Sequence, residues 1–87
     1  MRDESLLQFP CDFPIKIMGA SGADFSPLVM DLVRRHAPDL DETRITIRDS
    51  RTGRYQSVTV VVYARDCVQL DAIYQDLSSH PRVTMVL

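Results

Sequence analysis

Few side chains in this sequence have the types and spacings that catalysis requires. His36 and His80 are the only histidines, and each stands at the predicted end of a helix, shortly before a proline. A partly charged imidazole is stabilised by the C-terminus of a helix, so a structural role explains both positions. No serine or cysteine stands in a recognisable nucleophile–base pattern. The sequence therefore predicts no catalytic site, and we expect that the protein is not an enzyme.

Metal-binding and redox motifs are likewise missing from the sequence. It has no HxxxH or CxxC spacing, and the acidic turn 39–42 lacks the glycine and the spacing of a calcium loop. Cys11 and Cys67 are far apart along the chain, which favours two reduced thiols over a disulfide. We therefore expect no metal and no cofactor.

The segment 19–24, Gly-Ala-Ser-Gly-Ala-Asp, has the composition of a ligand-binding loop. It stands between a predicted strand and the start of a predicted helix, where a flexible glycine loop can hold an anion. Its residues match neither a P-loop nor a complete dinucleotide-binding motif. The candidate ligand-binding residues are Gly19, Ala20, Ser21, Gly22 and Asp24.

Size and composition describe one ordinary globular domain. The 87 residues are 45% hydrophobic and 25% charged, and the length is near the lower limit for folding on a hydrophobic core. The net charge of -2 predicts no general attraction to nucleic acid or to anionic lipid. No apolar run approaches the ~20 residues that cross a bilayer, and Met1–Ser5 lacks the character of a signal peptide. We therefore expect a cytoplasmic protein that does not enter membranes.

Four segments alternate apolar and polar residues with the period of a half-buried strand. The predicted strands cover residues 13–19, 43–49, 55–64 and 83–87. In the second of them, Ile45 and Ile47 are expected to face the core. Gly53 lies in the turn between the second and third strands, where we expect a hairpin loop with a positive φ at that glycine.

Two further segments carry the start signals of helices. Ser26 is expected to cap the first helix, with Pro27 at the first helical position and Phe25 packing against the next turn. Asp66 is expected to cap the second helix, and Gln69 to complete a capping box three residues later.

The predicted elements follow the order strand, helix, strand, strand, helix, strand. With right-handed crossovers, this order predicts an α+β fold, the ferredoxin-like β-α-β-β-α-β sandwich, whose four-stranded antiparallel sheet carries both helices on one face. We assign residues 1–12 to an N-terminal arm, in which Leu6 and Leu7 are available to pack on the domain, and residues 13–87 to the single domain.

Two helices cover only one side of such a sheet and leave an open face, the face opposite the helices. The side chains predicted there are Lys16, Met18, Arg44, Thr46, Arg48, Thr59, Val61, Tyr63, Arg82, Thr84 and Val86. This set contains no acidic residue, and its basic members are Lys16, Arg44, Arg48 and Arg82. One interpretation is a solvated surface, which antiparallel sheets often present. The other is a docking face for an acidic protein partner, a second copy of the chain or RNA.

Sequence-specific RNA binding is the least supported of these uses. RNA-reading domains of this topology stack bases on aromatic side chains in the middle of the two central strands. The corresponding positions here are Lys16, Met18, Thr59 and Val61, and none of them is aromatic. Weak electrostatic binding, which depends steeply on salt and little on sequence, stays open.

Several short motifs together resemble one family of bacterial proteins. They are Phe9-Pro10, Lys16-Ile17-Met18-Gly19, Arg35-His36-Ala37-Pro38, Gly53 to Val58 and the closing Met85-Val86-Leu87. In this order they cover nearly the whole chain from the arm onward and resemble the YbeD family of small uncharacterised proteins. The resemblance implies a fold similar to the ACT domain, a small-molecule sensor that pairs through sheet edges or helices. It also implies that an effector binds near the loop after the first strand, here residues 19–24.

These observations lead to three functional hypotheses. The first is a non-catalytic regulatory module that self-associates and binds a small-molecule effector at residues 19–24. The alternative is a protein-interaction adaptor whose basic open-face residues bind an acidic partner. The third is a weak RNA binder.

Overall fold

Four strands and two helices occur in the predicted order. The computed structural model describes residues 8–87, so the first seven residues of the predicted arm, with Leu6 and Leu7, lie outside the described residues. The strands are β1 (Cys11–Ala20), β2 (Thr46–Asp49), β3 (Tyr55–Ala64) and β4 (Val83–Val86), and the helices are α1 (Phe25–Arg34) and α2 (Cys67–Ser79). Among residues 8–87, no helix is both long enough and apolar enough to cross a membrane.

The strands form one antiparallel sheet in the order β2-β3-β1-β4, which confirms the predicted ferredoxin-like class. The central strands β1 and β3 pair along their whole length, from Cys11 opposite Ala64 to Ala20 opposite Tyr55. Gly53, in the hairpin between β2 and β3, has a φ of 75°, as predicted.

The hydrophobic core lies between the sheet and both helices. Alternate residues of the central strands are fully buried against apolar residues of α1 and α2, because the two-residue period of a strand directs them all to one face. The large side chains that are fully buried are Ile15, Ile17, Phe25, Val29, Val33, Val58, Val60, Val62, Leu70, Ile73 and Leu77.

Strand β1 begins at Cys11, two residues before the predicted start. The prediction started at Phe13, where the alternation of apolar and polar residues begins, and it included Pro14, which has no N–H for a strand ladder. In the structure, β4 pairs only with the second half of β1, so Pro14 lies where the strand has β3 as its neighbour on one side. At its other end, β1 continues through Ala20.

Helix α1 begins two residues earlier than predicted. Asp24 is the N-cap residue, although its side chain makes no capping hydrogen bond, and Ser26 is inside the helix. Phe25 is the first helical residue and is fully buried. Burial of this large ring therefore outweighs the capping preference of serine, which contributes only about 1 kcal/mol.

The predicted cap of α2 is confirmed at Asp66, whose carboxylate accepts a hydrogen bond from the Gln69 N–H at 2.8 Å. The reciprocal bond differs from the standard capping box. Gln69 Oε1 accepts from the N–H of Arg65 at 2.7 Å, one residue earlier than predicted. The Gln69 amide group also donates to the carbonyl oxygen of His36 at 2.8 Å, so one side chain connects the two helical segments.

Strand β2 is shorter than predicted, because residues Glu42–Arg44 form a 3-10 turn. Asp41 caps this turn and accepts hydrogen bonds from the Thr43 N–H and hydroxyl. Ile47 points to the helix side of the sheet, as expected, but remains 48% exposed. The reason is that β2 is an edge strand and the helices pack mainly over the other three strands.

The last side chains of β4 point to the opposite sides of the sheet from those predicted. Val86 is paired with the buried Ile17 and packs against the core, whereas Met85 is paired with Met18 and lies on the open face. A register shift between Met18 and Gly19 adds one residue to β4, so Val83 still faces the core. A bulge of this kind changes the parity of a strand and is not encoded in simple alternation.

Candidate functional site

The predicted glycine loop is shorter than its sequence indicates. Gly19 and Ala20 belong to β1, so the connection to α1 is residues 21–24. The Ser21 N–H donates to the Arg54 carbonyl oxygen at 2.9 Å, which ties the loop to the β2–β3 hairpin. The hydroxyl oxygen of Ser21 is buried and has no hydrogen-bond partner among residues 8–87.

Gly19 has a packing role in this region. A Cβ atom there would collide with the Arg82 carbonyl oxygen and lie 2.5 Å from Cε1 of Phe25. Only glycine lets the β1 backbone approach both groups so closely. The absence of a side chain at position 19 therefore lets the ring of Phe25, the first residue of α1, pack directly against β1.

Arg82, which immediately precedes β4, contacts the end of this loop and the Phe25 ring. The prediction that its side chain lies on the open face was therefore wrong. Its guanidinium donates two hydrogen bonds to the Asp24 carboxylate, at 2.7 and 3.2 Å, and lies 5.9 Å from the centroid of the Phe25 ring. The hydrogen bond from Arg82 lowers the pKa of Asp24, and the same bond raises the pKa of Arg82. Arg82 therefore pairs with an acid of the chain itself.

The open face carries a shallow hollow of about 200 Å³. We call it the open-face hollow; its lining residues used below are Lys16, Met18, Arg48, Tyr55 and Ser57. Arg48 is opposite Ser57, and Ser57 is opposite Met18, so these side chains form one row across three strands. The hollow thus combines two basic groups with apolar and hydroxyl-bearing neighbours. It is also lined by one acidic residue, Asp49, whose carboxylate accepts a hydrogen bond from the Gln56 side chain at 3.1 Å.

The four predicted basic residues divide into two groups. Arg82 pairs with Asp24, and Arg44 pairs with Asp12 at 3.0 Å. Asp12 lies on the open face, opposite Tyr63. The prediction that this face carries no acidic residue was therefore wrong. Lys16 and Arg48 form no ion pair within residues 8–87. The structure therefore leaves two of the four cations uncompensated, both in the open-face hollow.

Several contributors to this face were not predicted. Met85 reaches it because of the β4 register shift, and Leu87 because its N–H and carbonyl oxygen exchange hydrogen bonds with Lys16. Both side chains are about half exposed or more, like Tyr55 and Tyr63 of β3. Extending the β1 alternation to the residues before Phe13 would have revealed Asp12, whereas no sequence signal marks the bulge.

Both histidines make contacts that hold the fold together. The His36 Nε2–H donates to Asp76 at 2.5 Å and joins the end of α1 to α2. His80 Nδ1 accepts from the N–H of Arg82 at 3.1 Å. Cys11 and Cys67 are partly buried and form no disulfide. Among residues 8–87, no three His, Cys, Asp or Glu side chains are grouped closely enough to hold a metal ion.

Comparison with known families and curated proteins gives a single result. The family described as "Protein of unknown function (DUF493)" matches residues 4–87. A UPF0250 protein of Nitrosomonas europaea is 49% identical over 87 residues, which is 100% of both chains. A UPF0250 protein of Pseudomonas paraeruginosa is 50% identical over 82 residues, 93% of this chain and 88% of the relative. These matches are consistent with the resemblance to the YbeD family.

Solved structures of low sequence identity share the fold. The solution structure of protein HP0495 from H. pylori has a TM-score of 0.70 at 12% identity and covers 100% of this chain and 96% of its own. The ACT domain from GTP pyrophosphokinase of Chlorobium tepidum has a TM-score of 0.65 at 14% identity, over 87% of this chain and 84% of its own. The ACT-like fold that the resemblance implied is confirmed.

Proposed function

This chain belongs to the DUF493 family of proteins of unknown function, and we propose that it is a non-catalytic regulatory module that binds an acidic protein partner on its open face. We place this activity in the cytoplasm. A fold of this kind hosts many functions, so the proposal depends on the chemistry of the surface and not on the fold.

The observation that carries the proposal is that Lys16 and Arg48, both in the open-face hollow, form no ion pair within residues 8–87. The neighbouring Arg44 is already paired with Asp12 and contributes less to the surface field. Tyr55 and Met18 add apolar and aromatic area beside the charges, a combination that is typical of interface centres. An acidic side chain with an apolar neighbour fits this surface.

A second copy of the chain fits the same surface poorly. In a two-fold symmetric dimer whose axis passes through the hollow, the same patch of each copy meets the other, so the cations of one hollow would lie close to those of its partner. Like charges held together at an interface are repelled, and their hydration is lost without a compensating acid. The open face therefore favours a different, acidic partner.

The test compares charge reversal in the hollow with charge reversal elsewhere. Tagged protein is used to isolate partners from the source cells, and each purified partner is titrated with the wild type, with Lys16→Glu/Arg48→Glu and with Arg51→Glu. Arg51 lies in the exposed β2–β3 hairpin, outside the hollow, and its substitution is the control for a charge reversal elsewhere on the surface. We expect the double variant to lose at least about tenfold in affinity and the control to bind as the wild type does.

Amide chemical shifts in the labelled protein locate the contact directly. The proposal predicts that the partner shifts residues 16–18, 48 and 55–57. It fails if a partner binds the double variant as tightly as the wild type, or if the shifts are confined to the helix side.

A self-associating effector sensor is the second candidate function. Ser21 favours it, because a buried hydroxyl without a partner in the described residues, on the loop between β1 and α1, is able to bond a ligand. Light scattering beside a thermal-shift screen of amino acids and acylated cofactors tests this candidate. A dimer whose melting temperature rises with one ligand, and loses that rise in Ser21→Ala, supports it. A monomer that responds to none of the ligands excludes it.

A further inference from the structure

A second concave surface lies on the helix side, between the end of α1 and the start of α2. This cleft is shallow and largely open to solvent, and its volume of about 380 Å³ is within the range of small-molecule sites. The lining residues that matter for binding are Arg35, Arg65, Asp66, Val68 and Ala72. It shares no lining residue with the open-face hollow.

The floor of the cleft is held in place by the Gln69 side chain, which is 7% exposed. Its amide group donates to the His36 carbonyl oxygen, and its Oε1 accepts from the Arg65 N–H. The hydrogen bond between the His36 and Asp76 side chains joins the same two elements to each other. The two arginine-bearing segments are therefore fixed relative to each other, which reduces the entropy lost on binding.

The cleft contains two guanidinium groups without an acidic partner. Arg35 and Arg65 form no ion pair within residues 8–87, and the contact that Arg65 makes is 3.5 Å to the His36 carbonyl oxygen. The acidic lining residue is Asp66, and one of its oxygens is engaged by the Gln69 N–H. Two positive charges and one negative charge leave the cleft with an excess of one positive charge.

We propose that this cleft binds a small organic phosphate. Guanidinium groups present paired N–H donors that match phosphate oxygens, and a phosphate monoester carries close to two negative charges at neutral pH. Val68, which is 77% exposed, and Ala72 supply an apolar wall for the organic part of the ligand. The ligand class is therefore a phosphate monoester with a compact apolar or aromatic group.

Phenyl phosphate is a suitable probe, with inorganic phosphate and phenol titrated separately at constant ionic strength. Amide chemical shifts of the full chain should report saturable binding at residues 35–37 and 65–72, tighter for phenyl phosphate than for either fragment. Arg35→Gln/Arg65→Gln should weaken phenyl phosphate binding about tenfold or more, whereas Arg51→Gln should not change it.

Asp66→Asn gives a second, independent measurement. Asparagine caps a helix as well as aspartate does, so the fold is kept while the opposing charge is removed. We expect phenyl phosphate to bind this variant about twofold to fivefold more tightly. The proposal is overturned if the double arginine variant, shown folded by its thermal melt, binds as the wild type does. It is also overturned if Asp66→Asn leaves the affinity unchanged or if the shifts fall outside the cleft.

Discussion

Gly19 lies where two parts of the chain leave no space for a side chain. A methyl group there would meet the Arg82 backbone and the Phe25 ring, and neither can retreat without moving a strand or the start of α1. We expect Gly19→Ala to lower the free energy of unfolding by about 2 kcal/mol or more, as overpacking typically does. Urea denaturation measures the change.

Gly53→Ala is the matched control for this substitution. Gly53 has a positive φ but nothing within 4 Å of an added Cβ, so its cost is conformational alone and about 1 kcal/mol. A larger loss at position 53 than at position 19 would contradict the packing role of Gly19.

The Asp24–Arg82 pair makes a contribution to stability that depends on pH. Because Arg82 lowers the pKa of Asp24 in the folded protein, the contribution is present above the ordinary carboxyl pKa of about 3.9 and is lost as the pH falls through the lower folded value. At neutral pH, Asp24→Asn should melt at a lower temperature than the wild type. The difference should shrink below about pH 3.9 and at high salt, since the pair is exposed. A difference that is constant from pH 7 to pH 2 would show that the ion pair contributes nothing.

At the scale of the elements, β4 is the segment whose facing differs most from simple alternation. Val86 packs against the core and Met85 lies on the open face at 49% exposure. We therefore expect Val86→Ser to destabilise the fold by about 1–3 kcal/mol and Met85→Ser to change its stability by less than about 1 kcal/mol. Thermal or urea unfolding of the two variants decides the matter. A larger loss of stability for Met85→Ser than for Val86→Ser would instead support the sequence-based prediction that Met85 faces the core.

In the whole molecule, the open-face hollow lies on one side of the sheet and the cleft lined by Arg35 and Arg65, here called the arginine cleft, lies on the helix side. The two sites share no lining residue, so one ligand does not block the other sterically. We expect saturating phenyl phosphate to change the affinity for an open-face partner by less than about twofold, which is below the usual range of allosteric coupling. A partner titration with and without phenyl phosphate measures this coupling. Loss of the partner on adding the probe would mean that the two ligands compete for one surface.

Local sequence patterns were sufficient to predict the class of fold and the buried side of the central strands. Val58, Val60 and Val62 alternate over the whole of β3, and this period follows from backbone geometry whatever the rest of the chain does. The Gly53 turn and the Asp66 cap were predictable for the same reason, since each depends on the conformational preference of one residue and its near neighbours.

The charges that remain available for binding, in contrast, depend on contacts between distant segments of the chain. Arg44 meets Asp12 across 32 residues and Arg82 meets Asp24 across 58, and no local pattern encodes such pairs. The β4 bulge that brings Met85 to the open face likewise depends on how β4 fits beside β1. The arginine cleft forms because chain topology brings the end of α1 beside the start of α2. Local periodicity therefore predicts which elements form, whereas contacts between distant segments determine their charged surfaces.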